Sequence, residues 1–313
     1  MVRRFSARPR PPILECLRDP PLVRVMYGGS RKHMGAEALS LCMIVKNEER
    51  ALAQCLDSVA GLAPEVVIVD TGSTDATFQI AASYRANISA FDFSVVDFAA
   101  ARNRALARAR GRWILVLDAD EVLDPASAPI IRELVARDEN AGYYFQRLNR
   151  QPDADRQTTD YVVRLFPNRP AFRYRGRVHE TIDASIRAGG GQLLRSGIRI
   201  HHDFASDPET RRRRNLWYIG ILNEEIAADP SDSTRLDFLA AEYHQLGMFD
   251  QAAEIAERIV GMRPLDPEAR LHAGVYHLLY KVDRERARSD FMEALRLRPG
   301  YPEAQSFLEL LEE

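Results

Sequence analysis

Cysteine, tryptophan and net charge are all scarce in this sequence. Of 313 residues, three are cysteine and two are tryptophan, and the formal net charge is -2. Cys16, Cys42 and Cys55 lie far apart with no CxxC among them, which excludes the usual zinc and disulfide frameworks. Reduced thiols, and with them a cytoplasmic setting, are the simplest expectation. A charge this near zero supplies no general attraction for nucleic acid or an anionic surface. No apolar run approaches the length of a membrane span, so no integral membrane segment is expected. The remaining composition, 46% hydrophobic and 28% charged, is that of an ordinary globular protein. The length makes two domains the natural expectation.

Residues 1–38 differ in composition from the rest of the chain. They carry Pro9, Pro11, Pro12, Pro20 and Pro21 and an excess of arginine. Arg3-Arg4 has no apolar stretch behind it, so a signal peptide is rejected. Gly28-Gly29-Ser30 and His33-Met34 read either as an added linker or as an over-extended start with Met34 as initiator. Little order is expected in this arm.

From Leu39 a regular alternation begins. Leu39–Val45 and Val66–Val69 read as buried strands, and Ser89–Phe93 as a weak one. Ile114–Leu117 is a further run of apolar residues buried on both faces. Helical spacing separates them, at Leu52, Leu56 and Val59, then up to Tyr84, then through Phe98–Leu106. Strands alternating with helices imply βαβ units and a parallel arrangement. Each strand ends on polar residues: Lys46-Asn47-Glu48, then Asp70 with Ser73 and Asp75, then Asp118-Ala119-Asp120-Glu121. The carboxyl edge of such a sheet is where ligands bind. Asp118 and Asp120 are two apart, so extended chain would point both to one side. Paired carboxylates there suit Mg2+ or Mn2+. Taken singly, each cluster also reads as a helix start or a solvated turn.

Leu41–Glu49, Val69–Asp75, Ala101-Arg102-Asn103 and Leu117–Glu121 together resemble the family-2 inverting glycosyltransferases. The likeness is to the bacterial branch with tetratricopeptide-like helices behind the catalytic domain, similar to the glycocin S-glycosyltransferases. Where the family usually has Asp-Gly-Thr, this chain has Asp75-Ala76-Thr77. The resemblance implies a GT-A, Rossmann-like mixed sheet with helices on both faces. It also implies a nucleotide-sugar donor, by family habit a UDP-sugar, and a divalent metal. It places Asn47, Glu48, Asp70, Arg102, Asn103 and Asp118 around the nucleotide-sugar, with Asp70 against the base. Asp118 and Asp120 would hold the metal, joined by a late histidine, His202 in preference to His201.

After Pro125 the pattern predicts a helix over Ala128–Arg137, strands at Tyr143–Leu148 and Tyr161–Phe166, a polar loop over Gln151–Thr159, and a last strand at Gln192–Ile200. An inverting displacement needs a base on the acceptor side. The resemblance puts Glu180 there with His179 beside it; Asp153, Asp155 and Asp160 are competitors. From Arg211 the chain reads as all-helical, with the basic run Arg211–Arg214 opening it. Pro230, Pro264 and Pro299 recur at 34 and 35 residues, the tetratricopeptide length.

The domains expected are therefore 1–38 as an extension, 39–205 as the catalytic domain, and 206–313 as a tetratricopeptide-like repeat domain. The expected activity is transfer of a sugar to a peptide, protein or glycan acceptor, with the repeats offering a surface for homodimers. Two rivals stand beside it. A non-catalytic tetratricopeptide scaffold would show broken acidic motifs. A nucleotidyltransferase would carry a glycine-rich phosphate loop after the first strand, which Lys46-Asn47-Glu48-Glu49 does not supply.

Overall fold

The computed structural model describes residues 39–137, 139–151, 156–203, 207–278 and 283–312. The arm at 1–38, with Cys16, and the acidic candidates Asp153 and Asp155 lie outside the described residues. The chain divides into two compact units, with the change at Pro208.

The first unit is built on one eight-stranded mixed sheet, ordered β3-β2-β1-β4-β7-β6-β8-β5. Its strands are β1 (Leu39–Val45), β2 (Glu65–Asp70), β3 (Asn87–Ala90), β4 (Trp113–Val116), β5 (Glu121–Leu123), β6 (Ala141–Gln151), β7 (Arg156–Pro167) and β8 (Gln192–Asp203). The first four run parallel. β7 turns antiparallel to β4, β6 antiparallel to β7, and β8 parallel to β6. The expected polar loop over Gln151–Thr159 is thus a correction: Leu148, Asn149 and Arg150 pair with Thr159, Thr158 and Gln157. Cross-strand partners, among them Arg147 and Asp160, carry these polar residues into the ladder. β5 was not foreseen, because three residues directly after an acidic turn leave no period to read.

Alternation along the buried strands sorts side chains onto two faces. Leu39, Leu41, Met43 and Val45 of β1, with Trp113 and Leu115 of β4, meet α1 (Leu52–Ser58) and α4 (Ala128–Val135). Cys42 of β1, with Ile114 and Val116 of β4, meets α3 (Phe98–Leu106) and Ile186 of α5 (Asp183–Ala188). With α2 (Thr77–Ser83), this is the expected sheet with helices on both faces. Cys42 and Cys55 are buried free thiols.

The second unit is all helical: α6 (Pro208–Ala228), α7 (Ser233–Gln245), α8 (Phe249–Met262), α9 (Pro267–Tyr276), α10 (Arg284–Leu297) and α11 (Pro302–Glu312). Asp232, Asp266 and Asp283 cap α7, α9 and α10 through their side chains. Proline occupies the first turn of α9, where its missing N–H costs nothing. Gly274 of α9 lies against the Phe291 ring of α10, so close that a Cβ would stand 2.6 Å from it. No helix among the described residues is long and apolar enough to cross a membrane.

Candidate active site

The parallel strands deliver their polar ends to one edge, and local hydrogen bonds fix each turn. Asn47 follows β1 in the left-handed region at φ 58°. Its Oδ1 accepts from the Thr74 amide at 2.8 Å, and its own amide donates to Ser73 Oγ at 3.0 Å. The Glu48 amide donates to Thr77 Oγ1 at 2.7 Å. The turn after β1 is thereby stitched to the turn after β2. Asp70 closes the latter, its Oδ1 accepting from Ser73 Oγ at 2.7 Å and from the Ser73 amide at 3.0 Å. Asn47 and one oxygen of Asp70 are therefore committed to turn geometry.

The acidic motif follows β4 as a turn, closed by the Glu121 amide donating to Asp118 O at 3.0 Å. Glu121, with 0% of its surface exposed, returns the bond by accepting from the Asp118 amide at 3.0 Å. The strand stops at Val116, so the extended chain on which that alternation rests ends before Asp118. Asp118 faces arginines and Asp120 faces histidine.

Asp118 Oδ1 accepts from Arg102 Nη2 at 2.7 Å and Oδ2 from Arg164 Nη2 at 2.5 Å. Burial alone would raise its carboxyl, but Arg102 and Arg164 together hold it well below the usual carboxylate range. The pairing continues on either side. Arg102 Nε donates to Glu180 Oε1 at 2.5 Å. Arg164 Nη2 also donates to Glu121 at 2.5 Å. Arg147 lies 3.4 Å from Glu121 and forks onto both oxygens of Asp160, at 2.9 and 2.6 Å. Three arginines thus alternate with four carboxylates in a largely buried chain. Even so, Arg102 Nη1, Arg164 Nε and the Tyr174 hydroxyl are buried with no hydrogen-bond partner among the described residues. Donors left so are costly unless an acceptor reaches them.

Asp120 has a different partner. β8 sets His202 opposite Glu121 and His201 opposite Val122. His202 Nε2 stands 3.2 Å from Asp120 Oδ2, while Nδ1 is 2.7 Å from Asn149 Oδ1. An amide oxygen only accepts, so Nδ1 donates to Asn149, and Nε2 is the ring nitrogen turned toward Asp120. A ring nitrogen oriented by a second hydrogen bond, next to a carboxylate, offers two ligands that a divalent cation could take. His201 is half-exposed and meets Asp124 at 3.6 Å instead. Among the described residues no group of three or more histidine, cysteine or acidic side chains is gathered as a ready cage. Glu48 joins the acidic side: burial first, then Asp120, Asp118 and Asp75, push its carboxyl up to about 7.

The acceptor-side candidates sit on a closed loop. Arg175 and Thr181 pair across its base, and His179 holds a left-handed φ of 47°. The Phe98 amide at the start of α3 donates to Arg177 O at 2.9 Å. Asn103 pins the neighbouring segment, exchanging two 2.9 Å bonds with the Tyr174 backbone. The structure thus brings Arg102, Asp118 and Glu180 together through one guanidinium, and Asp120 with His202. It places Asn47 and Asn103 as structural ties. Arg164, Arg147 and the clamping role of Glu121 were missed. Arg164 left a signal: a charge inside the apolar run Tyr161–Phe166 calls for a buried partner.

The sequence model of glycosyl transferase family 2 matches residues 40–201. A TPR repeat-containing protein of Synechococcus elongatus is 40% identical over 150 residues, 48% of this chain and 36% of that protein. The SPbeta prophage-derived glycosyltransferase SunS of Bacillus subtilis is 22% identical over 229 residues, 70% of this chain and 52% of that one. Among solved structures, S. aureus TarS in complex with UDP-GlcNAc aligns with 88% of this chain and 90% of its own, at 15% identity and a TM-score of 0.43. The chain spans between about a third and a half of the length of the curated relatives it matches.

Proposed function

Because this chain belongs to glycosyl transferase family 2, we propose that it transfers a sugar from a nucleotide-sugar, a UDP-sugar first, to a peptide, protein or glycan acceptor with inversion. The observation that carries the reading is the strand-end cluster: Asp118 clamped by Arg102 and Arg164, beside the Asp120–His202 pair and Glu48. Arginine suits an anionic diphosphate, and the aspartate–histidine pair a divalent cation. Asp120 and His202 would hold Mg2+ or Mn2+, which supplies positive charge to a departing nucleoside diphosphate. Asn149 orients the ring, accepting from Nδ1 and so turning Nε2 toward Asp120. Glu121 and Arg164 hold Asp118 in place, and Arg102 reaches from Asp118 to Glu180. Glu180 is the proposed base, since Arg102 occupies Oε1 and leaves Oε2 to take a proton from an acceptor hydroxyl.

Asp120→Ala should abolish both sugar transfer and donor hydrolysis while leaving the unfolding curve unchanged, since Asp120 is partly exposed and, among the described residues, pairs with His202 alone. EDTA should do the same to the unaltered protein, with recovery on adding Mn2+. Undiminished release of nucleoside diphosphate in EDTA would remove the metal from this reading. Calorimetry showing tighter GDP than UDP binding would remove the uridine donor.

A further inference from the structure

The net charge near zero conceals a local imbalance. The parallel order of β1 to β4 sets the starts of those strands along one edge of the sheet. The end of β7 joins them, since Trp113 pairs with Pro167. This amino edge lies opposite the strand-end cluster, about 20 Å away along the seven residues of β1. Arginines gather on it. Arg85 precedes β3, Arg104 lies in the last turn of α3 with Arg108 and Arg110 beyond, Arg112 precedes β4, and Arg169 follows β7. Hydrogen bonds join these segments into one strip. Arg108 Nη2 donates to Asn87 Oδ1 at 2.6 Å, tying the end of α3 to the start of β3. Asn168 Nδ2 donates to Ala109 O and Gly111 O at 3.1 and 2.9 Å, and the Asn168 amide donates to Arg112 O at 2.8 Å. The segment before β4 is thereby tied to Arg169. From β3 to β7 is four strand spacings, about 20 Å.

Little opposes this charge. Arg85, Arg104, Arg112 and Arg169 are exposed and pair with no carboxylate among the described residues. Arg110 meets Glu65 at 2.8 Å, yet its side chain is 81% exposed. Asp57, at the same end of the sheet, accepts from the Tyr84 hydroxyl at 2.7 Å. None of the exposed large apolar side chains among the described residues lies in the strip. We propose that this edge docks on an anionic lipid surface, its guanidinium groups pairing with phosphate headgroups. Guanidinium forks match phosphate oxygens in pairs, and an anionic leaflet attracts basic clusters of this size. A row of exposed cations selects charge and not sequence. Single-stranded nucleic acid wants aromatic rings on which bases stack, and a peptide wants side-chain pockets. A plane of headgroups requires neither.

The test is co-sedimentation of the full chain with vesicles: phosphatidylglycerol mixed into phosphatidylcholine, against phosphatidylcholine alone, at low and at high salt. Binding is expected to the anionic vesicles only, and salt should release it. Arg85→Glu, Arg112→Glu and Arg169→Glu combined in one chain should weaken it by about a hundredfold or more. Circular dichroism should not change, since all three side chains are exposed. Arg212→Glu, Arg213→Glu and Arg214→Glu on α6 make the same change in charge outside the strip and should leave binding nearly intact. Absence of binding to the anionic vesicles overturns the proposal. So does an equal loss from both sets of changes, which would make the attraction one of total charge. A single-stranded oligonucleotide that binds through the strip, with vesicles ignored, assigns the edge to nucleic acid and equally overturns it.

Discussion

Glu180 carries two duties on one carboxylate: it anchors Arg102 through Oε1 and stands as the proposed base. Kinetics separates them. As a base, Glu180→Gln should lower turnover on a hydroxyl acceptor by about 10² to 10⁴ with donor affinity retained, and cost less with a thiol acceptor, whose thiolate already exists near neutral pH. If the loss falls on donor affinity alone, Glu180 acts through Arg102, and Asp160, bound up with Arg147, is the next carboxylate to test. Glu48 offers a measurement without substrate. Its carboxyl is raised from 4.5 to about 7 by burial and by Asp120, Asp118 and Asp75. A raised acid costs the fold nothing while it is protonated in both the folded and unfolded states, and the cost grows as pH climbs from the unfolded value to the folded one. Glu48→Gln should therefore raise the thermal midpoint above pH 7 and leave it unchanged near pH 4.5. An equal rise at both would sink the carboxylate-repulsion account. What the residue scale hides from sequence is partnership. Arg164 and Glu121 meet across 43 positions, and nothing local to either names the other.

At the scale of elements, legibility followed burial. β1, β2 and β4 announce themselves because both faces are covered, so apolar residues run without a break. β6 and β7 extend well past their apolar segments, because a long hairpin pairs polar side chains with each other rather than with a core. That His202 rather than His201 faces Asp120 follows from alternation on β8, which needed the register against β5 to read. The repeat period in the second unit was legible, but not the way α9 meets α10. Gly274 allows helix backbone to approach the Phe291 ring, and Gly261 of α8 faces open space. Equal chemistry should thus give opposite signs. Gly274→Ala should cost about 1–3 kcal/mol from overpacking. Gly261→Ala should gain up to about 1 kcal/mol from helix propensity. Urea midpoints of the two variants check this, and a stabilised Gly274→Ala would show that the ring yields.

At the scale of the whole molecule, the two units differ in how far along the chain their contacts reach. Neighbouring helices in the second unit are consecutive in sequence, save for a small contact of α11 with α9. In the first, β4 and β5 are separated by four residues yet sit in the middle and at the edge of the sheet, with β7, β6 and β8 between them. The acidic turn bridges that span, and its ionic partners arrive late: Arg164 after 46 residues, Glu180 after 78 from Arg102, and His202 after 82 from Asp120. This has a consequence in time. Contacts so distant in sequence must await closure of long loops, and chains rich in them fold slowly. On synthesis, the cluster of Asp118, Asp120 and Glu121 emerges some eighty positions before its last partner. Refolding should accordingly recover helical circular dichroism first and donor binding last, with binding tracking the slowest phase. Simultaneous recovery of the two signals would contradict this order. Until β8 docks, a nascent chain lacks the His202 partner of Asp120, so the capacity to bind a ligand there becomes a mark of a chain synthesised at least through β8.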